Sequence, residues 1–258
     1  MGADIEQLKS CCARFYEAPL LRLLLGGVFH PGGLRSTEQL GNWLGLRRGE
    51  RVLDIACGPG RSAVHLARTF GCRVTGMDYS LRAAQDARLN AGGEIQVVTG
   101  DAECLPFGDE RFDAVVIECS LCLIPQKAVA AAAMRRVLKL GGRIGVADVA
   151  LEQPLPEGIR DLAAWVACLG GAQTVEGYRR LLSDAGFADV ATLDATWALT
   201  EAVDHMGRLS LLAYVARGVG ALPEMPFTPA EPRSWLDEAR RWIADGRAGY
   251  VFLSGRRS

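Results

Sequence analysis

Five short apolar segments alternate with helical patterns between residues 51 and 149, and this alternation limits the folds open to the chain. The strand-like segments are 51–57, 72–79, 95–101, 112–119 and 143–149. Helical patterns lie between them at 61–70, 81–91 and 126–140. Continuous apolar strands joined by helices are typical of a parallel sheet that is covered on both faces. The sequence therefore predicts an α/β fold with a doubly wound, mostly parallel sheet.

Helical patterns also flank this region on both sides. Residues 1–48 contain apolar positions at helical spacing, interrupted by a break at 30–33 and followed by a helix over 36–46 that opens on Ser36. After residue 150 the order is two helices, a strand at 188–197, a helix at 201–219, a loop at 221–232, a last helix and a closing strand at 249–255. We expect an N-terminal helical lid at 1–48 and a main domain at 49–258 with helical insertions after 150.

Charge and hydropathy exclude several partners. The chain has 258 residues with 29 basic and 30 acidic side chains, so it has no basic excess of the kind that nucleic-acid-binding proteins usually carry. Its apolar runs are too short and too interrupted to span a bilayer, and its first residues lack the order of a signal peptide. We predict a cytoplasmic protein with a small-molecule partner, no nucleic-acid partner and no membrane partner.

The eight cysteines are expected to be thiols, because a cytoplasmic setting is reducing. Only Cys119 and Cys122 have the C-x-x-C spacing, so a tetrahedral zinc site has little support. Each cysteine taken alone is more typical of a small buried hydrophobic residue than of a ligand.

A glycine-containing loop and three acids mark the predicted ligand-binding edge. Gly58 and Gly60 separate a strand from a helix, where a backbone without side chains can approach a ligand closely. With Ala63 the spacing is G-x-G-x-x-A, which also suits a dinucleotide. Asp54, however, precedes the glycines at the strand end, where it would repel a pyrophosphate and suit a cationic, amine-bearing ligand.

Two more acids end the next two strands. Asp78 is placed to accept hydrogen bonds from a ribose diol, and Asp101 can accept one from an exocyclic amine such as that of adenine. Each acid alone is equally compatible with an ordinary helix cap or turn residue. Together with Asp54 they point to one carboxyl edge of the sheet, where open α/β sheets bind their ligands.

The segments "VLDIACGPG", "VTGMDYS", "GDAECLPF", "FDAVVIEC" and "RVLKLGGRIGVADV" together resemble the class I S-adenosylmethionine-dependent methyltransferases over about residues 50–150. This resemblance implies a Rossmann-like methyltransferase fold with S-adenosylmethionine (SAM) as the cofactor. It places Asp54, Gly58 and Gly60 at the methionine moiety, Asp78 at the ribose, and Asp101 with Ala102 at the adenine. We also expect Ala56, Tyr79 and Glu118 to bind the cofactor; for Glu118 the alternative is a strand cap.

Two further segments, "IECSLCLIP" and "WVACLGGAQTVEGYRRLLSDAGF", resemble the arsenite methyltransferases. The resemblance implies that Cys119 and Cys168 bind As(III), and that Cys57 completes a three-thiol catalytic site. Thiolates suit such an acceptor, because soft ligands bind soft centres. A thiol reductant is then a candidate partner.

The first functional hypothesis is therefore a methyltransferase for trivalent arsenic, either arsenite or methylarsenite, held by cysteine thiolates. The alternative is an O-, N- or C-methyltransferase that acts on a small organic metabolite. Such an acceptor often needs a base to remove a proton, and His30 is either that base or a turn residue. A nicotinamide-binding oxidoreductase or a binding module without chemistry is a third hypothesis; Asp54 argues against a nicotinamide cofactor.

Overall fold

The structure of the protein is a computed structural model. It describes residues 9, 28–154, 169–218 and 230–258, with side chains left out at 210–218 and 230–235.

The first half of the described chain alternates strands with helices, as the sequence predicts. Its elements are α1 (Gly33–Leu44), β1 (Arg51–Ile55), α2 (Arg61–Phe70), β2 (Arg73–Asp78), α3 (Leu81–Ala91), β3 (Gln96–Thr99), β4 (Phe112–Glu118), a 3-10 turn (Leu121–Leu123) and α4 (Lys127–Val137). The second half contains β5 (Leu138–Leu151), α5 (Val175–Asp184), β6 (Phe187–Asp194), α6 (Thr196–Gly218), α7 (Ala230–Ala244) and β7 (Ala248–Arg257).

The seven strands form one sheet in the order β3-β2-β1-β4-β5-β7-β6. Strands β1 to β5 pair in parallel, whereas β7 is antiparallel to both β5 and β6. The predicted doubly wound, mostly parallel sheet is confirmed. The division of the chain at residue 48 stays a prediction.

Several element boundaries differ from the prediction, and three of the differences are described here. The helix predicted over 126–140 ends at Val137, because Leu138 is extended and pairs with Phe112 across a register shift. Its side chain is fully buried, so tertiary packing outweighs the local helical pattern. Helix α1 begins at Gly33, so Ser36 lies buried inside the helix and does not cap it. The strand predicted to reach residue 197 ends at Asp194, and helix α6 begins at Thr196.

The helices bury two apolar clusters, one on each face of the sheet. On one face, Leu40 and Leu44 of α1 pack in the same cluster as Val52 of β1. Gly145 of β5 makes this packing close, since a Cβ atom there would overlap the side chain of Leu44. Helix α1 is thus held tightly against the sheet, and this fixes the position of the side chains at its N-terminal end.

Parallel pairing brings two carboxyl groups to the same face of the sheet. Asp54 of β1 pairs in register with Val116 of β4, two residues before Glu118. Side chains two residues apart on a strand point to the same face, so Asp54 and Glu118 project together near the carboxyl ends of β1 and β4. Within the described ranges, no helix is both long and apolar enough to cross a membrane.

The contact between Gly145 and α1 predicts a specific loss of stability. We expect Gly145→Ala to lower the free energy of unfolding by about 1–3 kcal/mol, because the added methyl group overpacks the site beside Leu44. Urea denaturation measures this change. Gly108→Ala is the matched control, since its Cβ would have only Arg111 nearby, at 3.9 Å. Equal stabilities for the two variants would contradict the packing argument.

Candidate active site

An open cleft lies at the carboxyl edge of β1, β2 and β4. Its walls come from the loop after β1, the ends of β2 and β4, the 3-10 turn and the segment before α1. The predicted site residues that line it are Asp54, Ala56, Cys57, Gly58, Asp78, Tyr79, Asp101, Ala102, Glu118 and Cys119. Gly60 does not line the cleft, and Cys168 lies outside the described residues.

The loop after β1 is tied to β2 by a carboxylate. The backbone N–H of Gly58 donates to Oδ2 of Asp78 at 2.8 Å, and the N–H of Ser80 donates to Oδ1 at 2.8 Å. Gly60 caps α2 with a φ of 82°, and a Cβ there would lie 3.0 Å from the Cβ of Ala87. Gly60 therefore allows the loop to pack against α3, while Gly58 lines the cleft itself.

Two residues other than glycine adopt the left-handed backbone conformation at the carboxyl edge of the sheet. Ala56, just after β1, has a φ of 58°, and Cys119, just after β4, has a φ of 49°. Such conformations are uncommon for residues other than glycine and cluster at functional sites. Both strands therefore turn sharply where they meet the cleft.

The carboxyl groups of Asp54 and Glu118 are buried beneath the cleft. Asp54 is 2% exposed, and its Oδ2 has no hydrogen-bond partner among the described residues. Burial raises the pKa of Asp54 well above its usual value, and the negative charges of Glu118 and Asp78 raise it further. Burial also raises the pKa of Glu118 to about 8, against the opposing effect of a hydrogen bond from Thr37. The ionised forms of Asp54 and Glu118 would be favoured over the protonated forms only if a cation lay beside them.

A polar network connects Glu118 to the segment before α1 and to the start of α2. The hydroxyl of Thr37 lies 2.9 Å and 3.2 Å from the two carboxyl oxygens of Glu118. Nδ1 of His30 is 3.6 Å from Oε2 of Glu118, and Nε2 of His30 is 3.0 Å from Oγ of Ser62. Burial lowers the pKa of His30 to about 4, so its imidazole is neutral at pH 7 and does not balance the Glu118 charge.

Lys9 occupies the other end of the cleft. Its ammonium lies 2.7 Å from Asp101 and 2.6 Å from Glu103, and it stands 6.0 Å from the ring centre of Tyr79. Burial acts to lower the pKa of Lys9, but the hydrogen bonds to Asp101 and Glu103 raise it overall. Sequence reasoning missed this contact, because Lys9 is 92 residues away from Asp101. It also missed Thr37 and Ser62, for which the sequence carries no local signal.

The two described thiols of the predicted three-cysteine site lie in different surroundings. Sγ of Cys57 packs over Gly76 of β2, where a Cβ would approach it to 2.9 Å. Burial, with the nearby charges of Asp54 and Asp78, raises the pKa of the Cys57 thiol, so it is protonated at neutral pH. Cys119 is buried in the same apolar cluster as Cys122. The described ranges contain no group of three metal-binding side chains, and the three-thiol site with Cys168 stays a prediction.

Comparison with known proteins identifies the family of this cleft. Residues 52–142 match a family model described as a methyltransferase domain. An uncharacterised protein of Haemophilus influenzae is 34% identical over 181 residues, which cover 66% of this chain and 70% of that protein. The O-methyltransferase cnsE of Penicillium expansum is 33% identical over 153 residues, which cover 52% of this chain and 55% of that enzyme. Residues 52–142 of the chain form a methyltransferase domain.

A solved structure extends the fold comparison to nearly the whole of this methyltransferase. Phosphoethanolamine N-methyltransferase 2 of Haemonchus contortus, in complex with S-adenosyl-L-methionine, matches with a TM-score of 0.78 over 97% of this chain and 60% of that one. The sequence identity is 19%, so the likeness concerns the fold. This methyltransferase also spans only about half the length of the Penicillium enzyme. The substrates named for these relatives therefore do not identify the substrate of this chain.

The pKa values of Glu118 and His30 predict how stability depends on pH in the ligand-free protein. The Glu118 pKa is raised from 4.5 to about 8, so its contribution to stability is complete below pH 4.5 and is lost as the pH rises through 8. The His30 pKa is lowered from 6.5 to about 4, so its contribution is complete above pH 6.5 and is lost as the pH falls through 4. Between pH 6.5 and 8 the His30 contribution is constant and the Glu118 contribution falls, and the raised pKa of Asp54 acts in the same direction.

In that window we expect the free energy of unfolding to fall with rising pH by up to about 1.4 kcal/mol per pH unit more in the wild type than in Glu118→Gln. The variant keeps the shape of the side chain and cannot ionise. Urea denaturation at intervals of half a pH unit measures both slopes. Parallel slopes would show that Glu118 ionises normally in the folded protein.

Proposed function

We propose that the cleft binds SAM and that the protein transfers its methyl group to a small organic acceptor. The observation that carries this proposal is the buried pair of Asp54 and Glu118 beside the loop of Gly58, with Oδ2 of Asp54 lacking a hydrogen-bond partner in the described part of the chain. A buried carboxyl in this state is stabilised by a cationic ligand. SAM has both an ammonium and a sulfonium, whereas the pyrophosphate of a dinucleotide is anionic and would be repelled by the two acids.

The remaining residues fit the same cofactor. SAM supplies an electrophilic methyl group when it is bound. Asp78 and Tyr79 lie at the end of β2 for the ribose, and Asp101 with Ala102 lies after β3 for the adenine. The backbone of Ala56 and Gly58 follows β1 at the position expected for the methionine moiety. These residues bind and orient the donor, and orientation of the two reactants is the main catalytic contribution to a displacement of this kind.

Apolar side chains support an organic acceptor. Val28 and Phe29 come from the segment before α1, and Leu123, Ile124 and Pro125 follow β4 on the opposite wall. Such a lining excludes water from the reacting centre and binds carbon-rich molecules. The name of the Penicillium relative, an O-methyltransferase, also favours an oxygen acceptor.

Arsenite is the second candidate acceptor, because Cys57 and Cys119 line the same cleft. The buried, protonated thiol of Cys57 argues against it, since a soft centre is held by thiolate. The relatives reported above are not named for arsenic. We therefore place the organic acceptor first.

Removal of the Asp78 carboxylate tests the cofactor site. We expect Asp78→Asn to weaken the binding of both SAM and S-adenosylhomocysteine (SAH) by about 10–100-fold, because it loses charged hydrogen bonds worth about 1.5–3 kcal/mol. Calorimetric titration measures both affinities, and circular dichroism checks that the variant folds. Asp237→Asn, on the exposed face of α7, is the control that should bind normally. Unchanged affinity in Asp78→Asn would contradict the proposed ribose contact.

An acceptor screen with methyl-labelled SAM separates the two candidate functions. The panel contains phenols, enols, amines and arsenite, each assayed with and without a thiol reductant. We expect label in an organic product, and we expect Cys119→Ser to keep activity within about tenfold, because an organic acceptor needs no thiolate. Cys104→Ser is the matched control, since Cys104 is an exposed thiol away from the cleft lining. Methylation of arsenite that Cys119→Ser abolishes and Cys104→Ser preserves would instead support the arsenite function.

A further inference from the structure

The carboxyl group of Glu118 is the one buried acid of the described cleft that has both a hydroxyl donor and an imidazole ring beside it. We infer that Glu118 is the proton-exchanging group of the site: it is protonated in the ligand-free protein, ionised when the cationic cofactor is bound, and protonated again once the cofactor has become neutral. This inference rests on the proposed function and adds a catalytic role for Glu118 to it.

The contacts of Glu118 distinguish it from Asp54. The Thr37 hydroxyl lies 2.9 Å and 3.2 Å from the Glu118 oxygens, so the ionised form would keep a donor. Nδ1 of His30 is 3.6 Å from Oε2. Oδ2 of Asp54 has no such donor in the described chain. When a cation enters beside the two acids, ionisation therefore costs less at Glu118 than at Asp54.

The other charged groups of the cleft do not replace the cofactor's charge. Lys9 is bound to Asp101 and Glu103 at the adenine end, and Arg61 lies at the first, exposed residue of α2. His30 is neutral at pH 7. The remaining titratable groups of the described cleft lining are Asp54, Asp78, Tyr79, Cys57 and Cys119, and none of them can carry a positive charge. Burial therefore acts on Glu118 without an opposing cation in the described chain, and the ligand-free site favours the protonated carboxyl.

Cofactor charge then controls the proton. Burial raises the pKa of Glu118 to about 8, so the group is mostly protonated at pH 7. A positive charge within about 4–6 Å lowers the pKa of a carboxyl by about 1–3, which is enough to ionise Glu118 at that pH. SAM and SAH share the ammonium and the carboxylate, and they differ by the positive charge on sulfur. Glu118 should therefore lose its proton when SAM binds and keep it when SAH binds.

This exchange balances the proton of the reaction. A hydroxyl or amine acceptor forms a bond to the methyl carbon with its lone pair, while the carbon–sulfur bond breaks and its electron pair stays on sulfur. The acceptor loses one proton, and ionised Glu118 takes it as the sulfonium charge disappears. The product complex then contains a neutral thioether and a protonated Glu118, which is the state that the ligand-free cleft favours.

Proton release during binding tests the inference without any turnover. SAM and SAH are titrated calorimetrically at pH 7 in two buffers with different ionisation enthalpies, so that the released protons are counted. We expect SAM to release more than about half a proton per site beyond SAH. In Glu118→Gln this difference should vanish. Glu38→Gln, on the exposed side of α1, should keep it.

The affinity ratio of the wild-type protein gives a second measurement that needs no variant. The SAM-to-SAH affinity ratio should rise by up to about tenfold per pH unit between pH 6 and 8 and level off above 8. A flat ratio, or equal proton counts for two bound ligands, overturns the inference. A difference that survives in Glu118→Gln assigns the proton to another group and also overturns it. Failure of both ligands to bind would reject the proposed function itself.

Discussion

Parallel pairing of β1 with β4 places two acids beneath one cleft, and the electrostatics of the site depend on this pairing. Asp54 and Glu118 project from the same face because their strands are in register. Neither is exposed, and no described cation lies against them. The ligand-free protein thus keeps two buried carboxyl groups whose ionised forms are unfavourable until a cationic ligand lies beside them, which is how burial creates specificity for charge.

Helix α1 contributes as much to this region as the strands do. Its apolar side packs on the sheet through Leu40 and Leu44, while Thr37 on the same helix contacts Glu118. The segment just before it carries Phe29 over the loop of Gly58 and His30 against Ser62. Residues assigned by sequence to a separate N-terminal lid therefore supply part of the floor and wall of the cleft.

Sequence reasoning succeeded where local pattern determines position. The alternation of strands and helices predicted the sheet, and acids at strand ends predicted Asp54, Asp78 and Asp101 at one edge, because the carboxyl ends of parallel strands meet there. It failed where distant segments meet. Nothing near Lys9, Thr37 or Ser62 in the chain marks them as neighbours of the acids. The end of α4 at Val137 was also missed, since the burial of Leu138 beside β4 is a tertiary effect. The cysteines gave an arsenic acceptor by resemblance, but their burial could not be read from their spacing.

Gly145 connects the packing of α1 on β5 with the environment of Glu118 in the cleft. It lets Leu44 sit deeply on β5, and Thr37 lies two turns earlier on the same helix. Because α1 moves as a rigid body, a displacement at Leu44 also shifts Thr37. The pKa of Glu118 therefore depends on how closely α1 packs against the same face of the sheet. A substitution at this packing contact can change that pKa although it lies away from any reacting group.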